Sequence, residues 1–409
     1  MTRARGLNVL MISDVYFPRV NGVSTSIQTF RRELAALGHR STLIAPAYPA
    51  PYADDPDIIR VPARTVPLDP EDRMMNSGTI RRLALDLKAG RFDLVHIQTP
   101  FVAHYLGVHL SRRLGIPRVE TYHTFFEEYL HHYVPFLPKS WTRGLARRFS
   151  RHQCNDVDAV IVPSRAMADV LGAYGVTRPR HVIPTGIPLA EFTGGDGGGF
   201  RARHGIGAER FVLLFVGRVA FEKNIDFLLR ALKLALPRSP QLTLVIAGEG
   251  PAERDLHDIA RRLGVTEQVR FVGYLDRRTE LLDCYRAADA FTFASRTETQ
   301  GLVLLEAMAL GVPVVGLSVM GTRDILEPRR GCLVPDDDEA AFADAMAELA
   351  DNPGLRDALS AQAQDYAREW HADALAEKLA ALYREVSRLP AARHPARRFT
   401  APGSRSTLP

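Results

Sequence analysis

Cysteine is scarce in this 409-residue chain. Cys154, Cys284 and Cys332 are the only three, they lie far apart, and no CxxC spacing occurs. An odd, sparse count gives no disulfide framework and no thiolate zinc site, and it suits a reducing compartment. Long apolar runs are missing too: none approaches the roughly 18 residues that span a bilayer. The opening MTRARGLNVLMISD has basic residues before an apolar stretch, as a signal peptide does. Its apolar part, Leu7 to Ile12, is too short for an h-region and reads as a first buried strand.

Acidic residues are absent from two segments. Residues 129–155 carry Lys139, Arg143, Arg147, Arg148 and Arg151; residues 388–409 carry Arg388, Arg393, Arg397, Arg398 and Arg405. These exceed the net charge of +5, so the remaining chain is net acidic. Such local basicity points to two contact segments and away from a general nucleic-acid-binding surface.

What the chain does have is alternation. Hydrophobic residues make up 46% and charged residues 24%, ordinary values for a folded protein whose length implies two domains. Short apolar runs alternate with helix-period segments, the pattern of parallel α/β sheets. Strands are expected at 7–12, 42–45, 94–97, 119–122 and 159–162, then at 211–216, 242–247, 269–272, 290–293 and 312–315. Ile27, Phe30, Leu34 and Leu37 line one face of a helix closed by Gly38. Later helices are expected at 223–236, 252–263, 301–310, 338–350 and 373–386. The Gly-dense TGGDGGGF at 193–200 reads as a flexible hinge. The expected division is a Rossmann-like domain at 1–190, a hinge at 191–204, a second Rossmann-like domain at 205–370, a helix at 371–387 and a basic disordered tail at 388–409. Ligands of such sheets sit beyond the C-terminal strand ends, so chemistry is sought in the loops there.

Two such loops stand out. In Phe215-Val-Gly-Arg218, followed by Phe221-Glu-Lys223-Asn, two cations meet a helix start at a strand end, a setting suited to a diphosphate. Taken alone, it reads as a βα loop with solvated charges. In Glu298-Thr-Gln-Gly-Leu-Val-Leu-Leu-Glu306, a loop carboxylate precedes an apolar helix bearing a second one. A Glu in that helix needs a partner, because burying an unpaired charge costs several kcal/mol. Asp54-Asp55 and Asp336-Asp-Asp338 superficially suggest metal-binding acids. The first pair lies in a Pro-rich loop, and the second group suits helix capping.

Together, Arg218, Lys223 and the Glu298–Glu306 pair behind a Rossmann-like domain resemble the retaining GT-B glycosyltransferases of family 4, over about residues 7–385. Gln300 stands where Phe is usual. That variant, with Ser13-Asp-Val-Tyr-Phe-Pro-Arg-Val-Asn-Gly22-Val-Ser-Thr and Thr121-Tyr-His123-Thr followed by Glu127-Glu-Tyr-Leu, resembles the branch containing diacylglycerol glucosyltransferases.

The resemblance implies two domains facing across a cleft, with a C-terminal helix returning to the first. Arg218 and Lys223 would hold the donor diphosphate. Glu298 would hold sugar hydroxyls beside the backbone N–H groups of Gly301, Leu302 and Val303. Glu306 would take the ribose, and Val272-Gly273-Tyr274 would line the base. Gly22 would admit the phosphates, although Asn21 replaces the family's usual first Gly. His123 would lie beside the reacting sugar, and neither metal nor other cofactor is expected.

On the acceptor side, Trp141, Leu145 and Phe149 form one stripe of a helix. Lys139, Arg143, Arg147 and Arg151 lie opposite, and Arg148 intrudes near the stripe. A basic amphipathic helix with a Trp suits an anionic bilayer, although its stripe could instead pack on its own domain. The expected activity is glucose transfer from UDP-glucose to a lipid such as diacylglycerol, on the inner face of the plasma membrane. The alternatives are another hexose donor with a soluble or polyprenyl-linked acceptor, a non-catalytic sugar-nucleotide sensor, or a dinucleotide oxidoreductase. The missing GxGxxG after the first strand counts against the last.

Overall fold

The computed structural model describes residues 5–49, 55–66, 69–87, 91–123, 125, 139–277 and 279–388. Two parallel sheets organise it. The first contains β1 (Asn8–Ile12), β2 (Arg40–Pro46), β3 (Ile58–Val61), β6 (Leu94–Ile97), β7 (Arg118–Thr121), β8 (Ala159–Val162) and β9 (Arg180–Val182), in the order β3-β2-β1-β6-β7-β8-β9. A small antiparallel pair, β4 (Ala63–Val66) and β5 (Asp69–Met75), stands beside it. The second sheet contains β10 (Phe211–Val216), β11 (Leu242–Ala247), β12 (Val269–Gly273), β13 (Ala290–Phe293), β14 (Val314–Gly316) and β15 (Cys332–Leu333), in the order β12-β11-β10-β13-β14-β15.

Strands covered on both faces read as unbroken apolar runs, which is why the sequence exposed most of them. FVLLFV of β10 and AVIV of β8 are buried at every position. Gly38, at φ 82°, ends the Gly22–Ala36 helix as expected. The Pro353–Arg368 helix was not legible, because much of its buried face is small: Leu359, Ala363, Tyr366 and Ala367.

The last helix, Ala372–Ser387, returns to the first domain. Its Leu375, Leu379 and Tyr383 join Ile27, Phe30 and Leu34 in one buried cluster. The chain crosses between the sheets twice, side by side: Ile187 N donates to Trp370 O at 2.8 Å, and Ala372 N donates to Ile187 O at 3.2 Å.

The crossing therefore lies before the Gly-dense segment, and the flexible-hinge expectation is corrected. Residues Gly197–Arg203 form a helix capped by Asp196, with Phe200 1% exposed in the second core. A methyl group on Gly197 would meet Arg286 O at 2.3 Å, so this glycine serves a close approach to the Glu280–Ala287 helix. The basic tail beyond 388 and the expected Glu127-Glu-Tyr-Leu motif lie outside the described residues.

A paired substitution separates packing from flexibility. Gly197→Ala should destabilise the protein by about 1–3 kcal/mol through overpacking. Gly198→Ala, whose added carbon would meet only Asp196 Oδ1 at 3.7 Å, should be neutral or slightly stabilising. Denaturant unfolding of both variants checks this.

Candidate active site

Each sheet has one point where its strand order reverses, between β1 and β6 in the first and between β10 and β13 in the second. Ligands of open α/β sheets bind outside the carboxyl ends of the strands there. The loops after these four strands, and after β7, carry most of the residues singled out from the sequence.

In the second sheet, Arg218 follows β10 by two residues and is half-buried. Lys223 ends the turn Phe221–Lys223, just ahead of the Ile225–Ala235 helix. Its Nζ donates to Glu298 Oε1 on the loop after β13. This ion pair joins the loops on either side of the switch point. Glu298 is held from behind as well, because Gly321 N donates to its carbonyl at 2.8 Å. A methyl on Gly321 would lie 2.1 Å from the Thr299 carbonyl, so this contact requires glycine. Gly301, at φ 94°, is the N-cap of the buried Leu302–Ala309 helix. The first N–H groups of that helix, including those of Leu302 and Val303, have no acceptor within it.

Glu306 is 2% exposed, and both of its oxygens meet protein donors. Oε1 accepts from Arg277, and Oε2 accepts from the Tyr285 hydroxyl at 2.9 Å. The apolar helix thus carries its charge only because Arg277 neutralises it, and the carboxylate in turn raises the Arg277 guanidinium above its ordinary value. No spacing in the sequence points to Arg277. Gly273, at φ 70°, ends β12, and Tyr274 beside it is 55% exposed.

In the first sheet, Asn21 caps the Gly22–Ala36 helix through Ser24 N at 2.8 Å, which gives the unexpected Asn a structural role. A methyl on Gly22 would meet no protein atom within 4 Å. Asp14, after β1, accepts from Thr99 Oγ1 at 2.8 Å and from Ala103 N, tying the loops after β1 and β6 together. His123 follows β7 and is half-buried; burial pushes its imidazole down to about 4. Its Nε2 lies 3.2 Å from Gln98 Oε1, on the loop after β6. Gln98 was missed in the sequence, although its position directly after a buried LVHI run at a strand end was a usable signal.

The two edges are bonded across the cleft. Thr299 Oγ1 donates to the His123 carbonyl at 3.1 Å. Gln300, 5% exposed, makes an amide pair with the Thr185 backbone: its Nε2 donates to Thr185 O at 2.7 Å, and Thr185 N donates to its Oε1 at 2.9 Å. Thr185 Oγ1 continues to Ser26 Oγ at 2.7 Å. A phenylalanine at position 300 has no group that could make these bonds.

Three of the acids that superficially suggest metal binding have other work, and Asp54 lies outside the described residues. Asp55 pairs with Arg31, Asp337 with Arg296, and Asp338 caps the Glu339–Asp351 helix.

The Lys139–Asn155 helix docks by a face other than its apolar stripe. Ala146, Ser150, Gln153 and Cys154 are buried, whereas Trp141 is 73% and Leu145 57% exposed. Phe149 is half-buried against the core. Arg143, Arg147, Arg148 and Arg151 are exposed, with Arg147 stacked over the Tyr174 ring at 5.6 Å.

Two stability outcomes follow. Arg277→Met leaves Glu306 buried and unpaired and should cost about 3–5 kcal/mol, largely recovered by adding Glu306→Gln; denaturant unfolding of the single and double variants checks it. Burial, with His123 beside it, lowers His96 from 6.5 to about 3. The unfolded chain therefore takes up this proton first, and the contribution of His96, full above pH 6.5, is lost as pH falls towards 3. By pH 5 the loss is about 2 kcal/mol. Unfolding at pH 7 and pH 5 should show a smaller pH dependence in His96→Gln than in the unsubstituted protein.

Comparison with known proteins agrees with this geometry. A family model described as Glycosyl transferases group 1 matches residues 199–366, and one described as Glycosyltransferase Family 4 matches residues 20–191. The chain is 35% identical over 317 residues to an alpha-monoglucosyldiacylglycerol synthase of Streptococcus pneumoniae, covering 76% of this chain and 70% of that protein. It is 30% identical over 382 residues to a GDP-mannose-dependent alpha-mannosyltransferase of Mycobacterium tuberculosis, covering 89% and 93%. The structure of Anabaena HepE in complex with UDP and glucose superposes with a TM-score of 0.73 at 18% identity, covering 93% of this chain and 100% of that one. Two Rossmann-like domains, paired switch points and these matches lead to one assignment: the chain belongs to glycosyltransferase family 4 and is a hexosyltransferase of the GT-B fold.

Proposed function

We propose that the enzyme transfers glucose from UDP-glucose to a lipid acceptor such as diacylglycerol, at an anionic membrane surface and with retention of anomeric configuration. The observation that carries this reading is the exposed stripe of Trp141 and Leu145 on a helix whose other exposed residues include four arginines. A water-facing Trp is unfavourable unless something apolar covers it, and a basic flank suits anionic head groups. The name of the pneumococcal relative supports the lipid acceptor, and the UDP and glucose in the HepE complex support the donor. Among the described residues no helix is long and apolar enough to cross a membrane.

In this reading the diphosphate lies between the switch points, with Arg218 and Lys223 on one side and the open space at Gly22 on the other. Lys223 shares its charge between Glu298 and the departing phosphate, while Glu298 accepts bonds from the sugar hydroxyls. The ribose hydroxyls lie beside Glu306 with Arg277 still paired to it, and the base lies by Gly273 and Tyr274. The acceptor oxygen attacks the anomeric carbon from the face the phosphate leaves. The new C–O bond forms as the old one breaks, and the acceptor proton passes to the leaving phosphate oxygen. Fixed cations meet the developing charge without a divalent ion.

The mannosyltransferase match covers more of the chain and favours a second reading, transfer of another hexose to a soluble or polyprenyl-linked acceptor. Radiolabelled UDP-glucose and GDP-mannose, each offered with diacylglycerol vesicles or aqueous acceptors, separate the two. Label from UDP-glucose should enter the vesicle lipid and persist in EDTA; label confined to aqueous products would overturn the lipid reading. Trp141→Ala with Leu145→Ala should lower binding to anionic vesicles by about tenfold or more in sedimentation.

A further inference from the structure

A buried polar chain links the returning helix to His123, and no proposed donor contact uses most of it. His96 is 2% exposed, in a strand flanked by β1 and β7. A neutral imidazole at such depth needs both nitrogens satisfied. Its Nε2 lies 2.7 Å from Thr121 Oγ1, and its Nδ1 lies 2.5 Å from the hydroxyl of Tyr383, a fully buried residue of the Ala372–Ser387 helix. Gln98 Nε2 lies 3.0 Å from the same His96 Nδ1, and Gln98 Oε1 faces His123 Nε2. The order in space is Tyr383, His96, Gln98, His123.

The roles follow from what each atom can do. An amide nitrogen only donates, so the Gln98 N–H makes His96 Nδ1 an acceptor and places the His96 proton on Nε2, towards Thr121. An amide oxygen only accepts, so the His123 proton must sit on Nε2. Neutral His123 then has one unprotonated nitrogen, Nδ1, able to accept a bond from a hydroxyl. A flipped Gln98 amide would reverse both assignments, so the tautomer of His123 reports the orientation of this amide.

We propose that Gln98 is a positioning residue for sugar transfer: it holds His123 as its Nε2–H tautomer and turns Nδ1 towards a donor-sugar hydroxyl. His96 stands behind the Gln98 amide at 3.0 Å, and Tyr383 stands behind His96. The returning helix thereby supplies the far end of the chain of bonds that reaches His123. This inference rests on the transferase reading above.

The test uses the full chain with 15N-labelled histidine, with the His123 signal assigned by its loss in His123→Gln. Long-range 1H–15N correlation should show His123 as the Nε2–H tautomer in the unsubstituted protein and a mixture in Gln98→Met, a substitution of similar length. In transfer assays Gln98→Met should lower kcat about tenfold, the scale of one lost hydrogen bond, with the donor KM changed less than about twofold. Tyr383→Phe should shift both readouts in the same direction by less. An Nδ1–H tautomer in the unsubstituted protein, or an unchanged kcat in a folded Gln98→Met, would overturn the proposal. Absence of transfer by the unsubstituted enzyme to any acceptor would instead defeat the transferase reading, while the tautomer measurement would still judge Gln98.

Discussion

The amide pair between Gln300 and the Thr185 backbone is the contact on which the rest of the site depends. It joins the Glu298 loop of the second domain to the end of the first, and Thr185 passes the connection to Ser26 on the Gly22–Ala36 helix. Buried amide pairs lose little on folding when both members are satisfied, and they are costly to break when one is removed. With this pair made, Thr299 reaches the His123 carbonyl, and the two switch points face one another.

The charges are arranged by the same economy of partners. Lys223 and Glu298 neutralise each other between the loops after β10 and β13, and Arg277 neutralises Glu306 within the buried helix. Each pair places a charge at a site edge without leaving it bare in a low-dielectric interior. In the proposed reaction a phosphate near Lys223 would meet a cation already fixed in position, and little reorganisation would be needed as negative charge develops.

The outward face of the Lys139–Asn155 helix shows how packing decides what an amphipathic pattern means. The apolar stripe read from the sequence looked equally suited to packing inward or outward. The helix docks through Ala146, Ser150, Gln153 and Cys154, small or hydrogen-bonding residues that permit close approach, and Trp141 and Leu145 are left outside. Gln153 donates to the Pro100 carbonyl and Ser150 bonds Tyr122, which accounts for polar groups on the buried side.

The sequence alone determined the alternation of strand and helix, the two-sheet architecture, the strand-end loops bearing Arg218, Lys223, Glu298 and His123, and Glu306 on the apolar helix that follows; the returning helix was implied by the family resemblance. The strands were legible because those buried on both faces must be apolar throughout, and the charged residues because ligands of such sheets sit at the loops that follow. Tertiary structure alone decided that Gly197 serves packing and that the domains cross near Ile187. It alone brought Gln98, His96 and Tyr383 into line and supplied Arg277 as the partner of Glu306. These depend on atoms from distant segments meeting at hydrogen-bond distance. Such pairings leave no local periodicity, since a buried donor takes whatever acceptor the fold brings beside it.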